Sequence, residues 1–172
     1  MSVFVLLIVM SSHSTSTAKY DLELGRLGAK LAVSADETEA AVAVVEHTLA
    51  PRSLAAPLHR HSREDEISYV LAGEMTVLAG DERSSVTVGE FAVKRRDTWH
   101  TFWNAGDDPL RFLEIIAPGE FAGLFAEVAE LFPLDPTDEE KMAGYQAINE
   151  RYGFEVDFES VPRLCEEHGL RM

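Results

Sequence analysis

Between Glu39 and Ala117 the chain alternates short apolar runs with turn residues, and no helical period persists for ten residues. Runs of this length, bounded by Gly, Pro and Asp, are typical of strands. The connections leave no room for crossover helices, so the pattern predicts an antiparallel all-β fold, a sandwich or barrel built from hairpins. The candidate strands are residues 40–49, 66–71, 74–79, 84–88, 91–95, 100–104 and 110–116.

After Pro118 the apolar period changes to three and four residues, which predicts one helix over 121–132 packed on the β-structure. A second helix is predicted to begin with Thr137 as its N-cap and to end at Gly153. A third is predicted over 160–168, with Gly169 as its stop. We therefore expect three parts: an N-terminal arm with lead-in strands (1–38), the barrel (39–118) and an acidic helical C-terminal segment (119–172).

Thirty acidic and fifteen basic residues give a formal net charge of −15, which argues against nucleic acid and anionic membranes as partners. Residues 117–172 hold thirteen Asp or Glu and four Lys or Arg, a net charge of −9, so this segment is predicted to be a solvated face. The single Cys165 cannot form an intramolecular disulfide, and we interpret it as structural. A chain without disulfides fits a reducing compartment, so we expect a cytoplasmic protein.

The N-terminus begins with eight consecutive apolar residues, 3–10, which are too few to span a bilayer. Secretion through residues 1–18 is the weaker alternative, because no Lys or Arg precedes Lys19 and no small-residue cleavage site follows. The run could instead be an edge strand exchanged with a partner subunit, or lie upstream of a working start at Met10.

Three histidines and one carboxylate are spaced to meet on neighbouring strands. His59 and His61 lie two apart and share one face of an extended strand, Glu66 begins the next apolar run, and His100 begins a later one. Such a ligand set suits one divalent transition metal ion, Fe, Ni, Mn, Cu, Co or Zn, and leaves coordination positions open for chemistry. Glu64 is the rival carboxylate, which spacing alone cannot exclude from a supporting role.

These spacings resemble the two motifs of the cupins. His59-x-His61, four residues, Glu66, six residues and Gly73 match the first motif, and the second runs from Gly89 through His100 to Asn104. The resemblance covers about residues 53–118 and implies a double-stranded β-helix, or jelly-roll barrel, with His59, His61, Glu66 and His100 as metal ligands. Two departures occur in the second motif, where Arg95 replaces Pro and Asp97 replaces Gly. Because Asp tolerates a left-handed turn, we expect the backbone to survive the second change.

The acidic helical tail is loosely similar to that of bacterial quercetin dioxygenase-like cupins. That resemblance implies a metal-dependent oxygenase acting on an aromatic or polyketide-like small molecule, with Glu66 as both ligand and catalytic base. It also implies a homodimer. The alternatives are a non-redox metal-assisted cyclase or isomerase, and a non-catalytic small-molecule-binding barrel.

Strand alternation predicts which other side chains share the ligand face. Ser68 and Val70 have the parity of Glu66, and Phe102 has the parity of His100, so all three are candidate substrate-pocket residues. The opposite parity predicts that other side chains on these strands point away: Tyr69, Trp99, Thr101 and Trp103. The remaining histidines, His13, His47 and His168, have no ligand-capable neighbours at useful spacing and are predicted to be ordinary.

Overall fold

The computed structural model describes residues 20–172, which form two mostly antiparallel sheets with helices after the last long strand. This confirms the prediction of an antiparallel all-β jelly-roll fold with C-terminal helices. The strands are β1 Asp21–Leu24, β2 Leu27–Val33, β3 Ala43–Leu49, β4 Ser53–Leu54, β5 Leu58–His61, β6 Asp65–Ala72, β7 Met75–Ala79, β8 Glu82–Val86, β9 Phe91–Lys94, β10 His100–Asn104, β11 Leu110–Ala117 and β12 Phe154–Asp157.

One sheet has the order β1-β2-β3-β11-β6-β9, and the other has the order β12-β5-β10-β7-β8 with β4 beside β10. The alternation of β3, β6 and β11 sends every second side chain into the space between the sheets. There Val70, Met75, Phe102 and Phe112 form an apolar cluster. Burying each such side chain contributes roughly 1.5–3 kcal/mol to folding, so this cluster holds the two sheets together.

The helices after the barrel are α1 Gly123–Ala129, α2 Glu139–Tyr152 and α3 Ser160–His168. The single helix predicted over 121–132 is instead a 3₁₀ turn, Gly119–Ala122, followed by α1. Its apolar face packs as predicted, since Phe121, Leu124 and Val128 join Val45 and Ile116 in a second core cluster.

The ends of α2 and α3 follow from local chemistry. The prediction of Thr137 as N-cap of α2 is wrong, because the carboxylate of Asp138 accepts the hydrogen bond from the Lys141 backbone N–H at 3.1 Å. Both C-terminal stops are confirmed: Gly153 and Gly169 adopt left-handed conformations, with φ of 70° and 63°.

A positive φ of 60° at Asp97 confirms the expectation that this residue accepts a left-handed turn where the resembled motif has Gly. The backbone N–H of Asp97 donates to the His61 carbonyl at 2.7 Å. The turn therefore ties the chain before β10 to the strand that carries two candidate ligands.

Strand β12 was not predicted from the sequence, which indicated only helices after residue 118. It pairs antiparallel with β5, and Phe154 lies opposite His61 in the register. The C-terminal segment is therefore helical only in part, and it returns to the sheet that carries the candidate site. The three-part division of the chain stays a prediction.

Within residues 20–172 no helix is long and apolar enough to cross a membrane. The predictions for residues 3–10, for secretion through residues 1–18 and for His13 lie outside the described residues. Cys165 is partly buried beside a small core cluster around Trp103 and Leu164, and burial raises the pKa of its thiol.

Candidate metal centre

The four predicted ligands come from both sheets and converge in the interior. His59 and His61 alternate along β5, His100 of β10 is the register partner of His59, and Glu66 faces them from β6. All four side chains are buried, and one candidate ligand atom from each lies within 4.8 Å of all the others. Because the facing strands hold them at this separation, no large movement is needed for one ion to contact all four.

Each imidazole is oriented by a hydrogen bond on the side away from the cluster. The Nδ1 atom of His59 donates to the Pro57 carbonyl at 2.7 Å, and that of His100 donates to the Thr98 carbonyl at 2.9 Å. His61 Nδ1 donates to Oε1 of Glu64 at 2.7 Å. Such bonds fix the tautomer and leave Nε2 free to bind a metal, as in metal-ligating histidines generally.

The Nε2 atoms give an independent test of whether a metal fits. Those of His61 and His100 are buried and have no hydrogen-bond partner within the described residues, while Oε2 of Glu66 lies 3.5 Å from each. Buried polar atoms without partners are costly and uncommon in folded proteins. A divalent ion among these atoms would satisfy both nitrogens and the carboxylate, so the residues present fit the implied metal.

The two rival carboxylates are separated by the structure. Glu66 faces the imidazoles, whereas Glu64 lies behind His61 as its hydrogen-bond acceptor. The side chains of both are nearly inaccessible, at 5% and 3% exposed. The geometry therefore assigns Glu66 to the ligand set and Glu64 to the orientation of His61.

Sequence reasoning missed a buried charged cluster directly behind Glu66. The Nζ atom of Lys94 lies 3.0 Å from Oε2 of Glu66 and 2.6 Å from Oε2 of Glu114, and the Ser68 hydroxyl donates to Glu114 at 3.1 Å. A signal for Glu114 existed, because it has the inward parity of Leu110, Phe112 and Ile116 on β11. Lys94 gave no such signal, since its buried neighbour on β9 is Ala92 while Phe91 and Val93 are exposed.

Burial and neighbouring charges set the pKa values in the metal-free site. Burial, reinforced by the imidazoles of His100 and His61, holds the pKa of His59 well below its usual value, and burial also lowers the pKa of His100. For His61, burial acts in the lowering direction, but the Glu66 and Glu64 carboxylates prevail and raise its pKa to about 9. Metal binding to His61 near neutral pH therefore has to displace a proton.

Burial and neighbouring charges also shift the pKa values of Glu66 and Glu114 in opposite directions. Burial acts to raise the pKa of Glu66, but the Lys94 ammonium and His61 outweigh it and hold the pKa well below the usual range. Burial raises the pKa of Glu114 to about 7 despite its contact with Lys94. Glu66 is thus the carboxylate kept ionised, which suits a metal ligand.

The candidate pocket residues Ser68, Val70 and Phe102 all point into the interior, as their parity predicts. Ser68 is engaged by Glu114, Val70 lies in the core cluster, and the Phe102 ring centroid lies 4.6 Å from Lys94 Nζ. Their role as a substrate pocket stays a prediction. On the opposite face of β10, Trp103 packs against the ring of His168 at 4.6 Å.

Two phenylalanines from the C-terminal segment cover the histidines. The Phe121 ring lies 4.4 Å from the His61 ring, and the Phe154 ring lies 5.0 Å from His61 and 5.1 Å from His59. On the outer side of Phe121 is a cavity of about 240 Å³, lined by Arg63, Glu64, Pro118, Glu120, Phe121, Arg151 and Tyr152. The cavity therefore borders two residues that contact His61, Phe121 and Glu64.

A larger cavity, of about 450 Å³, opens elsewhere on the protein. It is lined by Thr76, Arg83, Ser84, Ser85, Trp103, Ala105 and His168. None of the four candidate ligands borders it, so its greater size does not make it the chemical site. The orphaned nitrogens and the converging ligand atoms place the candidate centre beneath the two phenylalanines.

Comparison with known proteins identifies the family of the central part of the chain. Residues 45–116 match the family model described as the cupin domain. No match to the chain was found among curated proteins. Among solved structures, KdgF from Halomonas sp. is similar with a TM-score of 0.50 and 19% identity, over 58% of this chain and 86% of that one. A point mutant of the oxalate decarboxylase OxdC from Bacillus subtilis gives a TM-score of 0.52 and 21% identity, over 59% of this chain and 28% of that one. These similarities show a shared fold.

Proposed function

Residues 45–116 match the cupin-domain family model, and from that premise we propose that the chain is a metal-dependent enzyme acting on a small molecule. The ion is one divalent transition metal, Fe, Ni, Mn, Cu, Co or Zn, held by His59, His61, Glu66 and His100. The observation that carries the proposal is the pair of buried, unpartnered Nε2 atoms on His61 and His100, both aimed at the same oxygen of Glu66. A divalent cation at this point would satisfy both nitrogens at once.

We propose an oxygenase acting on an aromatic or polyketide-like substrate as the specific activity. A bound ion would supply Lewis-acid polarisation of a substrate oxygen and, when redox-active, electron exchange with O₂. The chain's own residues contribute orientation and exclusion of water. Phe154 supports an aromatic substrate, because its partly exposed ring packs against two of the proposed ligand imidazoles and offers a flat apolar surface beside them. Ser68, Val70 and Phe102 are proposed to form the pocket on the Glu66 side.

Glu66 is proposed as the catalytic residue as well as a ligand, accepting a hydroxyl proton from the substrate. Its Oε2 is ion-paired with Lys94 Nζ at 3.0 Å, so the proton would go to Oε1. The lowered pKa of Glu66 makes it a weak base in the metal-free protein. This role therefore requires that substrate binding draws Glu66 away from Lys94, and Glu66→Asp should lower turnover more than it lowers metal content.

A non-redox isomerase or cyclase is the second candidate, favoured by the Lys94 ammonium. A positive charge 3.0 Å from the only ligand carboxylate within the described residues reduces the electron donation that would stabilise a trivalent ion. The site would then act as a Lewis acid at constant oxidation state. A binding protein without turnover is the remaining outcome.

Oxygen uptake separates these functions. Protein reconstituted separately with Fe(II), Mn, Ni, Co, Cu and Zn is mixed with flavonols and related phenols while dissolved O₂ is followed. Uptake that requires substrate and is lost in His100→Ala supports the oxygenase. Product formation without uptake supports the non-redox enzyme, and ligand binding without product supports the binding protein. His168→Ala, which changes a histidine outside the ligand set, is the matched control.

The proposed partners and location need their own tests. We propose a small-molecule substrate, no nucleic-acid or membrane partner, a homodimer and a cytoplasmic location, supported by the net charge of −15, the single cysteine and the family resemblance. Light scattering on the purified full chain measures the oligomeric state, and a monomer at micromolar concentration would contradict the dimer.

A further inference from the structure

Lys94 is a fully buried ammonium inside the barrel. Its side chain is 0% exposed and lies in contact with two carboxylates, Glu66 and Glu114, which are also buried. Burial of an ammonium is costly unless it is paired and hydrogen-bonded, and removal of one member of such a group leaves an uncompensated charge. Apolar packing therefore does not explain why a lysine is buried at position 94.

The contact that matters is made by a single oxygen. Oε2 of Glu66 lies 3.0 Å from Lys94 Nζ and 3.5 Å from the Nε2 atoms of both His61 and His100. The oxygen that faces the unpartnered imidazole nitrogens is thus the one that is already ion-paired with Lys94. An ion held by the four ligands would have to share this oxygen with Lys94 or displace it.

We propose that Lys94 competes with the metal ion for Oε2 of Glu66 and thereby lowers the metal affinity of the centre. The inference rests on the metal site of the proposed function. In the metal-free protein the ammonium keeps Glu66 paired, so the site stays assembled; in the metal-bound protein its charge opposes the ion. Lys94 is a positioning and tuning residue, which acts on the metal through Glu66.

Glu114 has the opposite effect to Lys94 on the metal affinity of the centre. Its Oε2 holds Lys94 Nζ at 2.6 Å from the side away from the histidines, and the Ser68 hydroxyl donates to both of its oxygens. Glu114 therefore balances the charge of Lys94 and draws the ammonium away from Glu66. Among residues 20–172, loss of the Glu114 charge would leave Lys94 with Glu66 as its only carboxylate partner.

Substitutions of Lys94 and of Glu114 should change the metal affinity in opposite directions. Lys94→Met removes the competing cation, and the Kd for Co(II) and Zn(II) should fall by at least about tenfold, because a unit positive charge is removed within a few ångströms of a divalent ion. Glu114→Gln, measured above about pH 8 where Glu114 is ionised, should raise both Kd values by at least about tenfold because it removes the balancing negative charge. Lys30→Met, the same substitution at an exposed lysine of β2, should leave them unchanged.

Competition against a chromophoric chelator measures these Kd values on the full chain. A purely structural role for Lys94 would weaken metal binding in both Lys94→Met and Glu114→Gln, so weaker or unchanged binding by Lys94→Met overturns the inference. If Lys94→Met alone does not fold, the double variant Lys94→Met/Glu114→Gln replaces the whole buried pair with uncharged groups, a change that proteins often tolerate. It should bind metal at least about tenfold more tightly than Glu114→Gln alone.

The measured Kd values distinguish failure of the proposed metal centre from failure of the proposed role of Lys94. If the wild-type protein binds neither Co(II) nor Zn(II), the proposed metal centre is wrong and the role of Lys94 falls with it. If the wild type binds metal through the four ligands while Lys94→Met does not bind it more tightly, only the competition by Lys94 is wrong.

Discussion

Nδ1 of His61 donates a 2.7 Å hydrogen bond to Oε1 of Glu64, and both side chains are buried. This contact places a carboxylate behind a candidate metal ligand, where it orients the ring and increases the basicity of Nε2. His59 and His100 have backbone carbonyls in the equivalent position. Among the three candidate histidine ligands, His61 is therefore the one whose Nδ1 is held by a side chain, so its metal affinity should respond to substitution of Glu64.

Replacing Glu64 with Gln should weaken metal binding without abolishing it. The amide oxygen can still accept the bond from Nδ1, but the negative charge is lost. Above about pH 9, where His61 is neutral in both proteins, the Kd should therefore rise by about tenfold, the lower end for residues that support a metal ligand. Chelator competition measures the change. Glu120→Gln is the control, because Glu120 borders the same cavity without contacting His61. Equal metal affinity in the Glu64→Gln and wild-type proteins would contradict the orienting role.

Metal affinity should increase with pH between about 7 and 9. In the metal-free protein the pKa of His61 is raised to about 9, so below this pH one proton must leave before Nε2 can bind the ion. His59 and His100, with lowered pKa values, are already neutral in this range. Glu114, with its pKa raised to about 7, contributes to the rise only near and below neutral pH.

The measurement is the apparent Kd at intervals of half a pH unit, together with the protons released on metal addition in weakly buffered solution. The slope should approach one decade per pH unit between about 7.5 and 8.5 and flatten above about 9. In Glu64→Gln the flattening should begin at lower pH, because His61 has lost one of its two carboxylate neighbours. An affinity that does not change between pH 7 and 9 would show that His61 is not protonated in the free site.

Phe154→Ala should make the bound metal more accessible to solvent. The Phe154 ring covers both His59 and His61, so its removal opens a path to chelators and should accelerate metal release to excess EDTA by about tenfold. Phe158→Ala, which shortens a 42% exposed ring in the same segment, should leave the release rate unchanged. Equal release rates in the two variants would mean that the ion exchanges by another path.

Thermal unfolding of Phe154→Ala provides the control for stability. The half-buried ring also packs against Phe121, so some loss of Tm is expected. The release rate is interpreted only at temperatures where both variants are fully folded.

The convergence of the four candidate ligands could be predicted because part of it is determined locally. The separation of two between His59 and His61 fixes a common face on any extended strand, and the turn at Asp97 accepts its conformation by its own chemistry. The matched spacing of both motifs supplied the long-range pairing of His100 with His59, which periodicity alone could not show.

The burial of Lys94 could not be predicted, because β9 exposes its large apolar side chains and buries its small and charged ones. Its large apolar residues, Phe91 and Val93, are 60% and 57% exposed, whereas Ala92 and Lys94 face the interior. The buried carboxylates outweigh the hydrophobic preference of the strand, since an unpaired Glu66 and Glu114 would cost more than two exposed apolar side chains. That balance depends on carboxylates of two other strands, β6 and β11. The residue pattern within β9 therefore does not reveal it.

Strand β12 could not be predicted either, because its strand conformation depends on a distant part of the chain. Phe154–Asp157 is a four-residue run between two helices, and it is a strand only because β5 has a free edge beside it. The covering of the metal centre by Phe154 is consequently a tertiary feature.

Elemental analysis of protein purified without a histidine tag determines whether the chain holds a metal ion at His59, His61, Glu66 and His100. Wild type should contain about one equivalent of a transition metal, either as isolated or after reconstitution with Fe(II), Ni, Mn, Cu, Co or Zn, since the four ligands can hold one ion. His59→Ala and His100→Ala should each contain almost none while retaining the fold by circular dichroism. Metal-free wild type after every reconstitution, or full occupancy in both variants, would contradict a metal centre at these four residues.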